Sequence, residues 1–464
     1  MATDLTCLQA AAARQAPPGA HPLAGLKAHF ITFGCQMNKY DSAMAAGLLQ
    51  ESHVRFTDAE EDAELLVINT CSVRAHAEQR VYSLLGALER RKRRRPDLLI
   101  AVVGCMAQKE SSRIAQRFPH VDLIVGTRAL DELPRLVERL RDGADRPLIA
   151  VEEKAGLSFG RVVPRRELRA QAYLAVSRGC DKRCTFCVVP YTRGPEASRP
   201  VAELADEARR LVDDGAREIT LVAQTIDTYG RDIGTDLCAL LRALHPLAGL
   251  DRLRFITSHP AECDEDLWRT MAELGDKVMP FVHLPAQSGS DRVLRRMGRG
   301  YTRARYLEVV GAARRLCPQI EIATDFIVGF SGETDADFAQ TLALAEEIRF
   351  QSAYIFKYSA REGTPANKLP DDVPEEIKRR RHGALSELQA RISLQKNRER
   401  IGKLEEVLAE GPSKTDPARL TGRSRSFRLA HFAGPPTWAG RLANVRITGA
   451  SALSLTGEFI GFAD

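Results

Sequence analysis

Cys180-Asp181-Lys182-Arg183-Cys184-Thr185-Phe186-Cys187 sets three thiols at Cys-x3-Cys-x2-Cys spacing. Three thiolates on one loop hold three irons of a [4Fe–4S] cluster and leave the fourth iron without a protein ligand. An open iron is a place for substrate, by the logic that separates catalytic from structural zinc. A zinc knuckle is the competing use of such a loop, but a further Cys or His pair at finger spacing is absent. Cys35, Cys71 and Cys105 stand far apart in the chain, yet each closes an apolar run: His29–Phe33, Leu65–Ile68 and Leu98–Val103. Ligands collect at the carboxyl ends of strands in open α/β sheets, so the pattern predicts that these three cysteines converge there. Buried core thiols are the plainer reading of each alone. Cys7, Cys238, Cys263 and Cys317 lack such company and read as ordinary thiols.

The elements that must position these thiols follow from periodicity. From His29 to about Gly143 apolar runs alternate with helical stretches, as in a parallel sheet covered by helices; a fourth run is Val121–Val125. A second α/β series begins after a Pro-broken connection. Its strands are expected at Tyr173–Ser177, Ile219–Ala223, Leu253–Thr257, Pro280–Leu284, Ile320–Val328 and Ala353–Tyr358, each followed by a helix-periodic segment. Six β/α repeats fall short of the eight that close a full barrel, so an open partial barrel is expected. After Gly402 short β-like runs separated by Gly, Pro and Ser predict a small all-β barrel. The fold class is α/β: an unstructured extension at 1–26, a parallel α/β domain at 27–144, a linker at 145–169, a partial (β/α)6 barrel at 170–400 and a β-barrel at 401–464.

With 464 residues, 44% hydrophobic and 28% charged, the chain is long enough for several cores and is not a disordered tail. Lys+Arg 67 against Asp+Glu 61 leaves only +6, so a polyanion needs a local patch. The runs Arg90–Arg95 and Lys378–Arg381 are the two basic clusters, and such runs are usually solvated helix faces. No apolar run approaches the roughly 20 residues that span a bilayer, and no secretory pattern opens the chain. A cytoplasmic protein without membrane contact is expected.

The cysteine triplet, with an aromatic before its last member, resembles the radical S-adenosylmethionine (SAM) signature. Further motifs resemble the MiaB-type tRNA methylthiotransferases: Gly34-Cys35-Gln36-Met37-Asn38, Asn69-Thr70-Cys71-Ser72, Gly104-Cys105-Met106-Ala107-Gln108 and Cys187-Val188-Val189-Pro190-Tyr191-Thr192-Arg193-Gly194. Thr257-Ser258-His259-Pro260, His283-Leu284-Pro285-Ala286-Gln287-Ser288 and Asp325-Phe326-Ile327-Val328-Gly329-Phe330 continue the likeness, which spans roughly residues 27 to 462. It implies sulfur insertion and methylation at C2 of the N6-isopentenyl adenosine beside a tRNA anticodon. It implies two [4Fe–4S] clusters, one on Cys180, Cys184 and Cys187, the other on Cys35, Cys71 and Cys105, together with SAM, an electron donor and a sulfur donor. No catalytic residue beyond the cluster ligands is implied, and a monomer is the default.

The resemblance further places SAM against Gln224, Ser258, His259, Gln287, Ser288, Ile327, Val328 and Gly329. Arg193 suits a carboxylate or phosphate partner. The family usually shows Gly-Gln-Asn-Val-Asn where this chain has Ala223-Gln224-Thr225-Ile226-Asp227, so Thr225 and Asp227 replace two asparagines. The C-terminal barrel resembles the TRAM RNA-binding module, and Arg423, Arg425 and Arg428, interleaved with Phe427, read as its RNA contacts. Sister reactions, on threonylcarbamoyl adenosine or on a ribosomal-protein aspartate, and a non-catalytic iron–sulfur RNA-binding role are the alternatives.

Overall fold

The computed structural model describes residues 3–4, 21–72, 75–151, 164–166 and 168–463. Two compact units emerge: residues 1–167 with 178–181 and 188–199, and residues 168–177 with 182–187 and 200–464. Cys7, like most of the first 20 residues, lies outside the described residues.

The first unit is built on a sheet of β1 (Thr3–Asp4), β2 (Lys27–Thr32), β3 (Arg55–Phe56), β4 (Leu65–Thr70), β5 (Leu99–Gly104), β6 (Leu123–Val125) and β7 (Leu148–Ala150). Its order is β1-β2-β4-β5-β6-β7, with β3 beside β2, and the neighbours from β2 to β7 run parallel. All six residues of β4 and of β5 are buried, as strands covered on both faces must be. Alternate side chains feed opposite cores. Leu65, Val67, Leu99 and Ala101 pack with Leu49 of α1 (Gln36–Glu51), while Leu66, Ile68, Ile100 and Val102 pack with Leu85 of α2 (Ala75–Arg94) and Ile114 of α3 (Cys105–Arg117). α4 (Leu133–Arg141) adds Leu133, Leu136, Val137 and Leu140 to the first core.

Two expected boundaries are corrected. Leu148–Ala150, assigned to the linker, pairs with β6 because a short apolar run at a sheet edge gains ladder hydrogen bonds; residues 152–163 and 167 of that linker lie outside the described residues. The first 26 residues are not wholly without structure, since Leu23 and Leu26 are buried in the α1-side core and Thr3–Asp4 pairs antiparallel with β2.

The second unit opens with six parallel strands: Gln171–Ala175, Glu218–Val222, Arg252–Phe255, Phe281–His283, Glu321–Val328 and Ser352–Lys357. The first three form one ladder and the last three another. A single parallel bridge from Leu253 to Val278 links the third strand to the segment entering the fourth. The strands thus curve in chain order into an open partial barrel, as expected. Trp268, Leu240, Tyr306 and Leu344, from the intervening helices, close one core over its outer face.

After the helix Glu375–Arg398, five strands (Leu404–Pro412, Arg419–Ser424, Leu429–Ala433, Leu442–Ala450 and Leu455–Phe462) form a closed barrel. Closure removes every free sheet edge. Phe432, Val445 and Ile447 fill it. The barrel docks on the amino ends of the partial-barrel strands. Arg252 Nη2 donates to Glu406 Oε1 (2.8 Å) and Nη1 to the Arg423 carbonyl (2.9 Å), and Arg254 donates to the carbonyls of Ser424 (2.7 Å) and Arg425 (2.8 Å).

Candidate active site

Parallel register aligns the carboxyl ends of the central strands of the first unit. Thr32 lies opposite Asn69 and Thr70 opposite Gly104. Cys71 and Cys105 therefore follow directly on paired residues, and Cys35 follows three residues after Thr32; the predicted convergence on one sheet edge is observed. Cys35 caps α1 and Cys105 opens α3, positions where free helical N–H groups favour a thiolate. Two glycines allow the approach. A Cβ on Gly34 (φ +119°) would stand 2.7 Å from Cys71 Cβ, and one on Gly104 (φ +97°) would stand 2.3 Å from Asn69 Oδ1.

Buried amides brace this edge. Asn38 Nδ2 donates to the carbonyls of Phe33 (3.0 Å) and Thr70 (2.8 Å), and Asn69 Nδ2 donates to the Asn38 carbonyl (2.9 Å) and to Ser42 Oγ (2.9 Å). The bonds to Thr70 and from Asn69 tie the Cys35 and Cys71 segments together, and the bond to Phe33 closes the Cys35 turn itself. Beside them Asp41, fully buried, accepts from Arg178 Nη2 (3.1 Å) and from Arg193 Nη2 (2.8 Å). The carboxylate partner expected for Arg193 is thus Asp41. Burial works against the Arg193 charge, but Asp41, Cys105 and Cys35 outweigh it and hold the guanidinium firmly protonated. Burial pushes the Cys105 thiol up, while Arg193 pulls it down.

Arg193 ends α5 (Val189–Arg193), a short helix directly downstream of the cysteine triplet. Thr127 Oγ1 donates to the Thr192 carbonyl (2.7 Å) and Arg128 Nη2 to the Arg193 carbonyl (3.0 Å), so this segment belongs to the first unit. Cys180 also lies there, its N–H bonded to the Gly194 carbonyl (3.0 Å).

Cys184 and Cys187 belong to the second unit, joined in a turn by Cys187 N–H to the Cys184 carbonyl (3.1 Å). Thr185 N–H donates to the Met297 carbonyl and Ala366 N–H to the Thr185 carbonyl, fixing the turn from both sides. Arg299, buried, donates from Nη1 to Cys184 Sγ (3.2 Å). Burial opposes its charge, but Tyr301 and Cys184 hold it protonated. Sequence reasoning missed Arg299, because a lone arginine 115 residues from its thiol carries no local spacing signal.

The residues expected to meet SAM differ in how far their side chains are taken up by the fold. Ile327 packs in one cluster with Phe186 of the cysteine motif. Gln287 is buried, adopts φ +64° and keeps its Oε1 without a partner, an acceptor held ready for a donor. His259 is buried edge-on to Tyr301 at 5.6 Å. Burial, then the charges of Arg299 and Lys182, lower its pKa to about 2; Ala261 N–H donates to its Nδ1 (3.3 Å), which leaves the proton on Nε2. Gln224, half-buried, follows the second strand end.

Three assignments are corrected, and a fourth is modified. Val328 points into the outer core with Ile322 and Phe326, because side chains alternate along a strand and Ile327 takes the other face. Ser288 Oγ faces Thr341 Oγ1 (3.3 Å) and accepts from Ser290 N–H (3.2 Å), a structural role. Gly329 N–H is taken by Glu333 Oε2 (2.6 Å), itself held by Arg381 at 2.8 Å. Ser258 Oγ donates to Asp227 Oδ1 (3.0 Å), and His259 N–H donates to Asp227 Oδ2 (2.5 Å). Asp227, where the resembled family usually has Asn, thus pins the loop after the third strand. Burial raises its carboxyl to about 7, against the hydrogen bonds from His259 and Ser258. His283 and Asp325, paired at 2.9 Å, also escaped the sequence analysis, since 42 residues separate them.

Of the expected RNA arginines, Arg428 is corrected, and Arg423 and Arg425 are engaged within the protein while staying about a third exposed. Arg428 is buried, with Nη2 on Glu321 Oε1 (2.6 Å) and Nε on Asn397 Oδ1 (3.1 Å). Arg425 donates to the carbonyls of Gly275 and Asp276, Phe427 stacks on Phe281 at 4.8 Å, and Arg423 lies over Phe427 while paired with Glu410 at 3.2 Å. This face docks the β-barrel on the partial barrel. Arginine mixed with aromatics marks a protein interface core as readily as an RNA surface. The basic runs are engaged as well: Arg91 with Glu60, Lys92 with Asp122, Lys378 with Asp371 and Arg381 with Glu333.

Both cysteine sets suit iron–sulfur clusters. Each has a buried guanidinium beside a thiol, which matches the net negative charge of a cluster held by three thiolates. Among the described residues no three His, Cys, Asp or Glu side chains gather tightly enough for a single metal ion. A cluster spreads its thiolates over different irons and needs no such gathering.

A parallel α/β unit followed by an open (β/α)6 barrel with Cys-x3-Cys-x2-Cys after its first strand defines a radical SAM enzyme. Residues 174–345 match the Radical SAM superfamily, and residues 27–126 match the family described as "Uncharacterized protein family UPF0004". The tRNA-2-methylthio-N(6)-dimethylallyladenosine synthase of Moorella thermoacetica is 45% identical over 434 residues, covering 93% of this chain and 97% of that one. That of Clostridium novyi is 42% identical over 439 residues, 94% and 97% of the two chains. The chain belongs to the tRNA-2-methylthio-N(6)-dimethylallyladenosine synthase family. Among solved structures, the radical SAM methyltransferase TsrM from Kitasatospora setae, with cobalamin and a [4Fe–4S] cluster bound, matches 84% of this chain and 82% of that one with TM-score 0.53. At 15% identity this likeness concerns the fold alone.

Proposed function

We propose that the chain inserts sulfur at C2 of N6-isopentenyl adenosine beside the tRNA anticodon and methylates that sulfur. The observation that carries this reading is a second set of three cysteines at one sheet edge, in a chain nearly half identical over its length to synthases named for that product. The C2–H of adenine is neither acidic nor a leaving group, so acid–base catalysis has little to act on. When bound, SAM and a reduced cluster would supply a radical able to abstract that hydrogen, and a second cluster would supply the sulfur.

The chain's own residues bind, orient and exclude water. Cys180, Cys184 and Cys187 hold one cluster, and Arg299 offsets the charge on Cys184. Cys35, Cys71 and Cys105 hold the other. Ile327 would wall a bound SAM, the Gln287 carbonyl would serve as an acceptor, and neutral His259 would offer an Nε2 proton as a donor. A reducing electron donor and a sulfur donor complete the set of partners, and the protein works as a cytoplasmic monomer. No helix among the described residues is long and apolar enough to cross a membrane.

Anaerobic, reconstituted protein is expected to cleave SAM to 5′-deoxyadenosine without tRNA. Replacing any of Cys180, Cys184 or Cys187 by Ala abolishes that cleavage. Replacing Cys35, Cys71 or Cys105 spares it and blocks sulfur insertion. Full methylthiolation by the Cys71→Ala variant would refute the two-cluster assignment.

A further inference from the structure

Arg193 is buried, and its two terminal nitrogens differ. Nη2 is fixed by Asp41 (2.8 Å) and Asn38 Oδ1 (3.3 Å), whereas Nη1, equally enclosed, meets no oxygen or nitrogen acceptor, and the sulfur beside the guanidinium is that of Cys105. An unmet donor on a buried cation is costly and persists in a folded protein where a ligand completes it. After Asp41, the groups that act on this guanidinium are Cys105 and then Cys35, two members of the N-terminal triad. Asp41 also holds Arg178, so two guanidinium groups share this carboxylate. Asn38 bridges the arrangement, accepting from Arg193 and lying 3.5 Å from Cys35 Sγ.

We propose that Arg193 is a positioning residue for sulfur at the N-terminal triad, its Nη1–H donating to an anionic sulfur held beside Cys35 and Cys105. The ligand class is a small sulfur anion: hydrosulfide added to the open iron, or a sulfide of the cluster itself. The inference rests on the two-cluster reading above. Binding is a coordination and hydrogen-bonding event, with no bond broken in the protein and no electron transferred. A charged donor of this kind is among the stronger hydrogen bonds available to sulfur, and outer partners commonly change metal-site affinity by about 10–100-fold.

The test uses the full chain carrying Cys180→Ala, Cys184→Ala and Cys187→Ala, so that all bound iron reports on the triad. Sodium hydrosulfide is titrated into the reconstituted protein and followed by electron paramagnetic resonance of the reduced cluster, with Arg193 intact, as Arg193→Gln and as Arg193→Lys. Arg193→Gln is expected to load iron normally and bind hydrosulfide at least about tenfold more weakly, and Arg193→Lys to recover part of that loss. A loss of affinity with an unchanged ligand-free spectrum assigns Nη1 to the added sulfur. A changed ligand-free spectrum with unchanged affinity assigns it to the cluster's own sulfide. Both outcomes support the proposal. Wild-type spectrum and affinity in the iron-loaded Arg193→Gln variant would overturn it, as would folded variants that load no iron, which would make Arg193 a brace for the cysteine loops. Failure of the Arg193-intact protein to load iron would instead refute the two-cluster reading.

Discussion

Arg299 on Cys184, Arg193 on Asp41 and Asp227 under the Ser258–His259 turn are single side chains whose burial sets the chemistry of their surroundings. Asp227 gives the clearest pH prediction. Its folded pKa of about 7 lies above the usual 3.8, so the folded chain holds a proton that the unfolded chain releases. Between about pH 4 and pH 7 the stability contributed by this group falls as pH rises, by at most about 1.4 kcal/mol per pH unit. Asp227→Asn removes the titration while keeping one acceptor. Urea midpoints from pH 5 to pH 8 are expected to decline less for the variant than for wild type, and parallel curves would remove the carboxyl from the account. The convergence of Cys35, Cys71 and Cys105 was legible because each ends an apolar run. Arg299, His283 and Asp325 were not, because their partners are remote in sequence and the chain is rich in arginine.

At the scale of elements, strand periodicity carried most of the fold. The runs chosen for β4 and β5 are buried at every position, and all six strands of the partial barrel fall within a few residues of expectation. Alternation along a strand also explains an error, since Ile327 and Val328 were paired as one wall although neighbours on a strand face opposite ways. The larger miss was the face of the C-terminal barrel. Arg423, Arg425, Phe427 and Arg428 have the composition of an RNA surface, yet Arg425, Phe427 and Arg428 dock on Gly275, Phe281 and Glu321, and Arg423 pairs with Glu410 of the neighbouring barrel strand. Composition gives a surface its chemistry but not its partner. Arg428→Met leaves Glu321 with less compensation, and removing one member of a buried pair costs about 3–5 kcal/mol. That loss is expected in urea unfolding, with the salt slope of tRNA binding unchanged. A slope reduced by about 0.7–0.9, the value of one phosphate contact, would return Arg428 to the RNA.

Across the whole molecule, each unit presents cysteines where its parallel strands or their first loop end, and each sets a buried guanidinium against a thiol: Arg193 near Cys105, Arg299 on Cys184. The repetition fits two sites of like charge, each suited to a cluster with an open iron. Sequence reading reached that plan, and Arg193 with it, through spacing and resemblance, while Arg299 became visible only when the chain was folded. The most direct test is to express the chain in a bacterial strain lacking its own methylthiotransferase and to analyse digested bulk tRNA by mass spectrometry. The account predicts 2-methylthio-N6-isopentenyl adenosine, with its unthiolated precursor falling in step. An unchanged precursor in the presence of soluble, iron-loaded protein would contradict it.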